Sequence, residues 1–207
     1  MSRCQIVSID ILAEFLEIAF HGILYIRNLY PQEIFTKKKI YSTGIFISEH
    51  PEINEYIRNV IQTIRELLLQ SEESIKKINF VFLDKEKKPL ETFVFDLYNF
   101  RLDGREKDSY FLKTEMAMRE FYLKLMASPN YLKKLPEDSS FIIEIETHEA
   151  AHIGLSENEK CQEFPWLIKE LSDNSNNTTA NLLLPLSTFK TEYLGLQVFV
   201  VTSDNQR

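Results

Sequence analysis

SYFLKTEMAMREFYLKLMA, residues Ser109–Ala127, reads as a helix of about five turns. Phe111, Leu112, Met116, Phe121, Leu123, Leu125 and Met126 leave little of its circumference polar, which predicts cover on more than one side. Two acids each stand four residues before a base, Glu115 before Arg119 and Glu120 before Lys124, the spacing of intrahelical ion pairs. Strand-like segments flank the stretch and two amphipathic helices precede it. Together these predict an α+β domain with this helix at its centre.

Working upstream, Ile75–Leu83 and Leu90–Tyr98 flank the charged turn DKEKKP. Phe93, Phe95 and Leu97 alternate with Thr92, Val94 and Asp96, the period of a strand covered on one face. The pair reads as an antiparallel hairpin. Before it, a helix opens at Pro51, where a missing N–H costs nothing, with His50 expected to help cap it and Ile53, Ile57, Val60, Ile61, Ile64 and Leu68 as its inward stripe. Two short β-type runs occupy Ile34–Ser48, with a bend expected at Thr43-Gly44. The first helix is predicted from Ser8, as cap, to Leu29, ended by Tyr30-Pro31. Asp10, Glu14, Glu17 and His21 recur at helical spacing in it, so it reads as amphipathic and not as a membrane span.

Downstream, Phe141–Thr147 alternates as a strand. From His148 onward the composition changes: CQEFPWL, a polar stretch SDNSNNTTAN, then β-type runs Leu182–Leu186 and Leu194–Val201. This tail holds too few periodic apolar positions for a core of its own and is expected to lie on the body. One domain is predicted, with its core in residues 1–147 and an appendage in residues 148–207.

The chain has 207 residues and a net charge of −7, which argues against direct binding along a phosphate backbone. No secretory signal is read, so Cys4 and Cys161 are expected as reduced thiols in an intracellular protein. His148-Glu149-Ala150-Ala151-His152 is a literal HExxH, the spacing of a zinc hydrolase helix. It directly follows a strand, and Gly154 follows it closely. Leu155 and Asn158 stand where a metzincin-type continuation needs glycine and a third histidine. A surface segment at a strand end is the preferred interpretation. Glu163, Glu170 and Glu192 are the third-ligand candidates otherwise. No glycine-rich phosphate loop or nucleophile elbow is present, no metal or cofactor is expected, and a binding protein is the better class.

Three aromatics are placed where binding residues could stand. Tyr56 lies at the edge of the second helix's apolar stripe, where a boundary core position is the alternative. Trp166, the only tryptophan, sits in Phe164-Pro165-Trp166-Leu167, where a packed ring is the preferred reading and a tail anchor closing over an extended partner the alternative. Near the end, Leu196, Val198 and Val200 face one way and Gln197, Phe199 and Val201 the other, with Phe199 either a partner contact or an edge ring.

EFLEIAFHGILYIRNLYPQEIF, HPEINEYI, FVFLDKEKKPLETFVFDL, EFPW, LPLSTFK and LQVFV together resemble the HORMA domain family, over nearly the whole chain from Ile11 to Val200. The DKEKKPLE turn and the FPW segment are similar to the branch serving as accessory subunit of translesion DNA polymerase zeta. The first-helix motif is shared with the spindle-checkpoint branch.

The resemblance implies three helices on an antiparallel sheet and a C-terminal safety belt over residues 148–207. It implies a nuclear adaptor without catalysis. The belt would trap a proline-containing peptide of the polymerase zeta catalytic subunit, with Tyr56 and Trp166 as contacts. Leu183, Gln197 and Phe199 would meet the C-terminal domain of the scaffold translesion polymerase; the family has a tyrosine at the last position. Arg119 and Lys124 match a HORMA–HORMA dimer surface, homodimeric or heterodimeric, with intrahelical ion pairing as the alternative. An AAA-type remodelling ATPase is the family's device for reopening the belt. Spindle-checkpoint signalling is the alternative function on the same fold.

Overall fold

A computed structural model describes residues 3–71, 73–98, 112–148, 166–167, 181–190 and 195–203. In chain order the main elements are α1 (Arg3–Ile26), β1 (Phe35–Ile40), β2 (Thr43–Ser48), α2 (Pro51–Gln70), β3 (Ile75–Leu83), β4 (Pro89–Tyr98), α3 (Leu112–Ala127), β5 (Ser140–Thr147), β6 (Asn181–Lys190) and β7 (Gly195–Ser203). β1 and β2 form a separate antiparallel hairpin. The other five strands form one antiparallel sheet in the order β5-β3-β4-β7-β6. The two tail strands thus join the body's sheet, with β7 paired along β4 from Glu91↔Thr202 to Tyr98↔Gly195.

The central helix is α1, not α3. Ile9, Leu12, Phe15, Leu16, Ala19, Phe20, Ile23 and Leu24 of α1 are each at most 1% exposed. On α3 only one side is covered: Thr114, Met118, Phe121, Tyr122 and Leu125 are buried, while Leu112, Met116 and Leu123 are 58%, 70% and 50% exposed. A wide apolar circumference signals burial on several sides or an unfilled surface, and α3 is the second case. α3 lies against α1 through an edge-on Phe15–Phe121 contact, centroids 4.9 Å apart. Gly22 permits that approach, since a Cβ there would stand 3.0 Å from the Tyr122 ring. Of the two expected ion pairs on α3, Glu120–Lys124 forms at 2.7 Å; Glu115–Arg119 is not among the ion pairs of the described residues.

The ends of the first two helices differ from expectation for local reasons. α1 begins before Ser8, which is buried inside it rather than capping it. It stops at Ile26, and Asn28 takes a left-handed φ of 49°, the usual device for ending a helix ahead of the proline. His50 stands at the N-cap of α2 by position but makes no side-chain cap bond. The bend in the first hairpin falls at Tyr41-Ser42, with φ of 48° and 54°, instead of at Thr43-Gly44. Two consecutive left-handed residues are what a tight two-residue hairpin turn requires.

Two polar groups inside the core fix α1 to its neighbours. Arg27, past the end of α1, pairs with Glu91 of β4 at 2.8 Å, both side chains 4% exposed, and donates to the Lys133 carbonyl. Burial pushes the Glu91 carboxyl up to about 7, against the pull of Arg27. His21 is 2% exposed, and its Nδ1 accepts the Ser48 amide at 3.4 Å. Burial, then the nearby Lys38, lowers its pKa from 6.5 to about 4, so the ring is neutral.

For a histidine with a lowered folded pKa, stability is complete above the unfolded value of 6.5 and is lost as the pH falls toward 4. Glu91 has the opposite sign, its contribution being complete below 4.5 and lost as the pH rises through about 7. Urea unfolding of wild type and His21→Asn, which keeps an acceptor without the charge, should therefore separate the two. Between pH 6.5 and 4.5 wild type is expected to lose about 2 kcal/mol relative to the variant.

Candidate peptide-binding site

The outermost strands of the main sheet are β5 and β6, and they are unlike. β6 carries Pro185 and a register shift between Pro185 and Ser187, which spoil it as a template for further pairing. β5 is a regular strand, matched residue for residue to β3 from Phe82↔Phe141 to Lys77↔Glu146. Its even-numbered residues turn their backbone groups toward β3, as His148 does in donating to the Ser74 carbonyl at 3.1 Å. The backbone groups of Phe141, Ile143, Ile145 and Thr147 point the other way. Among the described strands none pairs with that side.

One of those outward groups is already engaged. The Ile143 amide donates to the Tyr56 hydroxyl at 3.0 Å. Tyr56 sits on the side of α2, half-buried, with its ring edge-on to Phe141 at 5.5 Å. Phe141 also stacks on Phe80 at 5.0 Å and meets Tyr30 edge-on at 6.4 Å. Burial raises the Tyr56 pKa, partly offset by the Ile143 bond, so the phenol stays protonated and keeps its own O–H as a donor. A second helix tyrosine works the same way: Tyr122 of α3 accepts the Phe46 amide of β2 at 2.9 Å.

Trp166 lies against the same helix. Its indole Nε1 donates to the Thr63 hydroxyl at 3.0 Å, and the ring packs on the core. Tyr56 and Thr63 are seven residues apart, two helical turns and nearly the same face. Their separation along α2, about 10 Å, matches about three residues of extended chain. Sequence reasoning singled out Tyr56 and Trp166 as candidates but not their neighbours here, Thr63, Phe141 and Tyr30. The seven-residue spacing from Tyr56 was the signal for Thr63.

The other expected contact residues lie elsewhere. Leu183, Gln197 and Phe199 share the sheet face opposite the core, because Leu183 pairs with Val201 and that face carries Gln197, Phe199 and Val201. Leu183 is 56% exposed, whereas Leu196, Val198 and Val200 of the other face are fully buried. The trio is three to four strands away from β5 in the sheet. Arg119 and Lys124 are exposed on α3 beside the bare Leu112, Met116 and Leu123. In the HExxH segment His148 is exposed at the end of β5, while Glu149 and His152 lie outside the described residues, as do Glu163, Glu170, Glu192 and Cys161. Among the described residues no group of three or more metal-binding side chains comes together, and no helix is long and apolar enough to cross a membrane.

Among the described residues, an α+β body with three α-helices and a five-stranded antiparallel sheet, whose β5 edge is unpaired and into which the tail strands fold, defines the class. The HORMA domain model matches residues 8–148, and the chain belongs to that family. It is 34% identical over 196 residues to "Mitotic spindle assembly checkpoint protein MAD2B" of Homo sapiens, covering 95% of this chain and 90% of that protein. It is 30% identical over 196 residues to "DNA polymerase zeta subunit 2" of Drosophila melanogaster, covering 94% and 96%. Among solved structures, the chain superposes on one in "Crystal Structure of Mitotic Checkpoint Complex" with a TM-score of 0.75 at 20% identity, covering 94% of this chain and 98% of that one. It superposes on one in "Structure of C. elegans HTP-2 bound to HIM-3 closure motif" with a TM-score of 0.64 at 14% identity, covering 94% and 90%. These last two likenesses are of fold.

Tyr56→Phe removes the acceptor of an edge amide while keeping the ring. Amide exchange at Ile143 should accelerate by about tenfold, the effect of losing one hydrogen bond, with the melting profile little changed. Unaltered protection of Ile143 would show that the hydroxyl does not cap the edge.

Proposed function

We propose that this chain is a non-catalytic adaptor of translesion DNA synthesis, an accessory subunit of polymerase zeta acting in the nucleus. One observation carries the proposal: β5 presents an unoccupied strand edge among the described residues, bordered by Tyr56 on the helix that also holds Trp166. The name of the Drosophila melanogaster relative supports the polymerase assignment. The HTP-2 structure, by its title bound to a closure motif, supports peptide capture as the mode of binding.

In this function a proline-containing peptide of the catalytic subunit adds to β5 as a further strand. Its carbonyls and amides meet the outward-facing backbone groups of Ile145 and Thr147, and rings at Tyr56 and Trp166 flank its side chains. Residues 148–207 act as the belt that keeps it there. The C-terminal domain of the scaffold polymerase docks on Leu183, Gln197 and Phe199, on the face that the peptide does not use. The exposed stripe of α3, with Arg119 and Lys124, serves a second HORMA chain, and an AAA-type ATPase reopens the belt. The relative named for spindle checkpoint assembly supports a second function on the same fold, separable by pull-down against each set of ligands.

Trp166→Ala should abolish capture of a synthetic catalytic-subunit peptide, measured by calorimetry; unchanged affinity refutes the assignment. Leu183→Ala should weaken the scaffold-domain contact by about tenfold and leave peptide affinity unchanged. An equal loss of both ligands would refute two separate surfaces.

A further inference from the structure

We propose that Thr63 is a positioning residue of the peptide site: its hydroxyl holds the Trp166 indole on α2, fixing the ring ready for the guest strand. This rests on the peptide-binding function above. Thr63 is 2% exposed, at the margin of a buried helix face whose other members are Ile, Val and Leu. A hydroxyl at such a place needs a reason, because burying one without a partner is costly. Here it has two partners. Thr63 Oγ1 donates to the Asn59 carbonyl at 3.0 Å, one turn back, and accepts the Trp166 Nε1–H at 3.0 Å.

The first bond determines what the second can be. With its proton spent on Asn59, the hydroxyl turns a lone pair outward, and an indole N–H, which can only donate, is the complementary group. Valine would fill the same volume and offer nothing to the ring. Serine would keep the acceptor. A tryptophan already seated loses less freedom when a guest binds beside it, and it must be unseated before the site loosens. The role of Thr63 is therefore distinct from that of Tyr56, two turns earlier, which engages the strand edge itself.

Trp166 is the only tryptophan, so its emission reports on this bond in the full chain without a guest. Thr63→Val should red-shift the emission and raise quenching by iodide, while Thr63→Ser should match wild type. With a synthetic proline-containing peptide of the polymerase zeta catalytic subunit as probe, Thr63→Val should speed dissociation by about fivefold to tenfold, and Thr63→Ser by less than about twofold. Trp166→Phe removes the N–H from the other side, and adding Thr63→Val to it should produce no further acceleration. That comparison holds even if valine lowers the melting temperature. Unchanged emission in Thr63→Val, equal effects of valine and serine, or additive effects with Trp166→Phe would each overturn the proposal. So would shifted emission with unchanged dissociation. Failure of the wild-type chain to capture the peptide would instead remove the peptide-binding function, while the emission arm would still report the Thr63–Trp166 bond.

Discussion

The pairing of β7 with β4 is the constraint from which the rest follows. It places the C-terminal strand inside the sheet, with Leu196, Val198 and Val200 completing the core beneath α1. Gly195 shows how close the two strands come: a Cβ there would stand 2.3 Å from the Tyr98 carbonyl oxygen. Because β7 and then β6, with its proline and register shift, take one side of the sheet, the regular outer strand lies at the opposite side, at β5. The same pairing turns Gln197 and Phe199 to the outside. The outer edge of β5 and the exposed face of β7 thus both follow from one ladder of hydrogen bonds, at different places on the sheet.

α2 translates this arrangement into a site. Its inward stripe holds it on the core, and polar atoms at the margin of that stripe do the rest. Tyr56 reaches the edge of β5, and Thr63 meets the tail at Trp166. The bare stripe on α3 is a different feature, an apolar surface with no cover among the described residues.

Much of the fold was legible because periodicity reports burial directly. The β3–β4 hairpin and the inward stripe of α2 are where alternation and helical spacing put them. Alternation at Leu196–Val201 likewise gave the two faces of β7 correctly. What escaped was anything set by the identity of a neighbour. Leu112, Met116 and Leu123 are as apolar as residues of α1, and only the tertiary arrangement leaves them uncovered. His21 looked like part of a polar face, but burial and the Ser48 amide make it a neutral core acceptor. At the site, the edge position of Tyr56 was readable from its angle to the stripe. Its partner at Ile143, 87 residues away, was not.

The contrast between the two outer strands has a consequence for assembly. A sheet that could be extended on both sides would let molecules or guests add in sequence, without a natural end. Pro185 and the irregularity beside it close one side to such growth. Among the described strands of the main sheet this leaves β5 as the regular outer strand, so growth of that sheet is limited to one side.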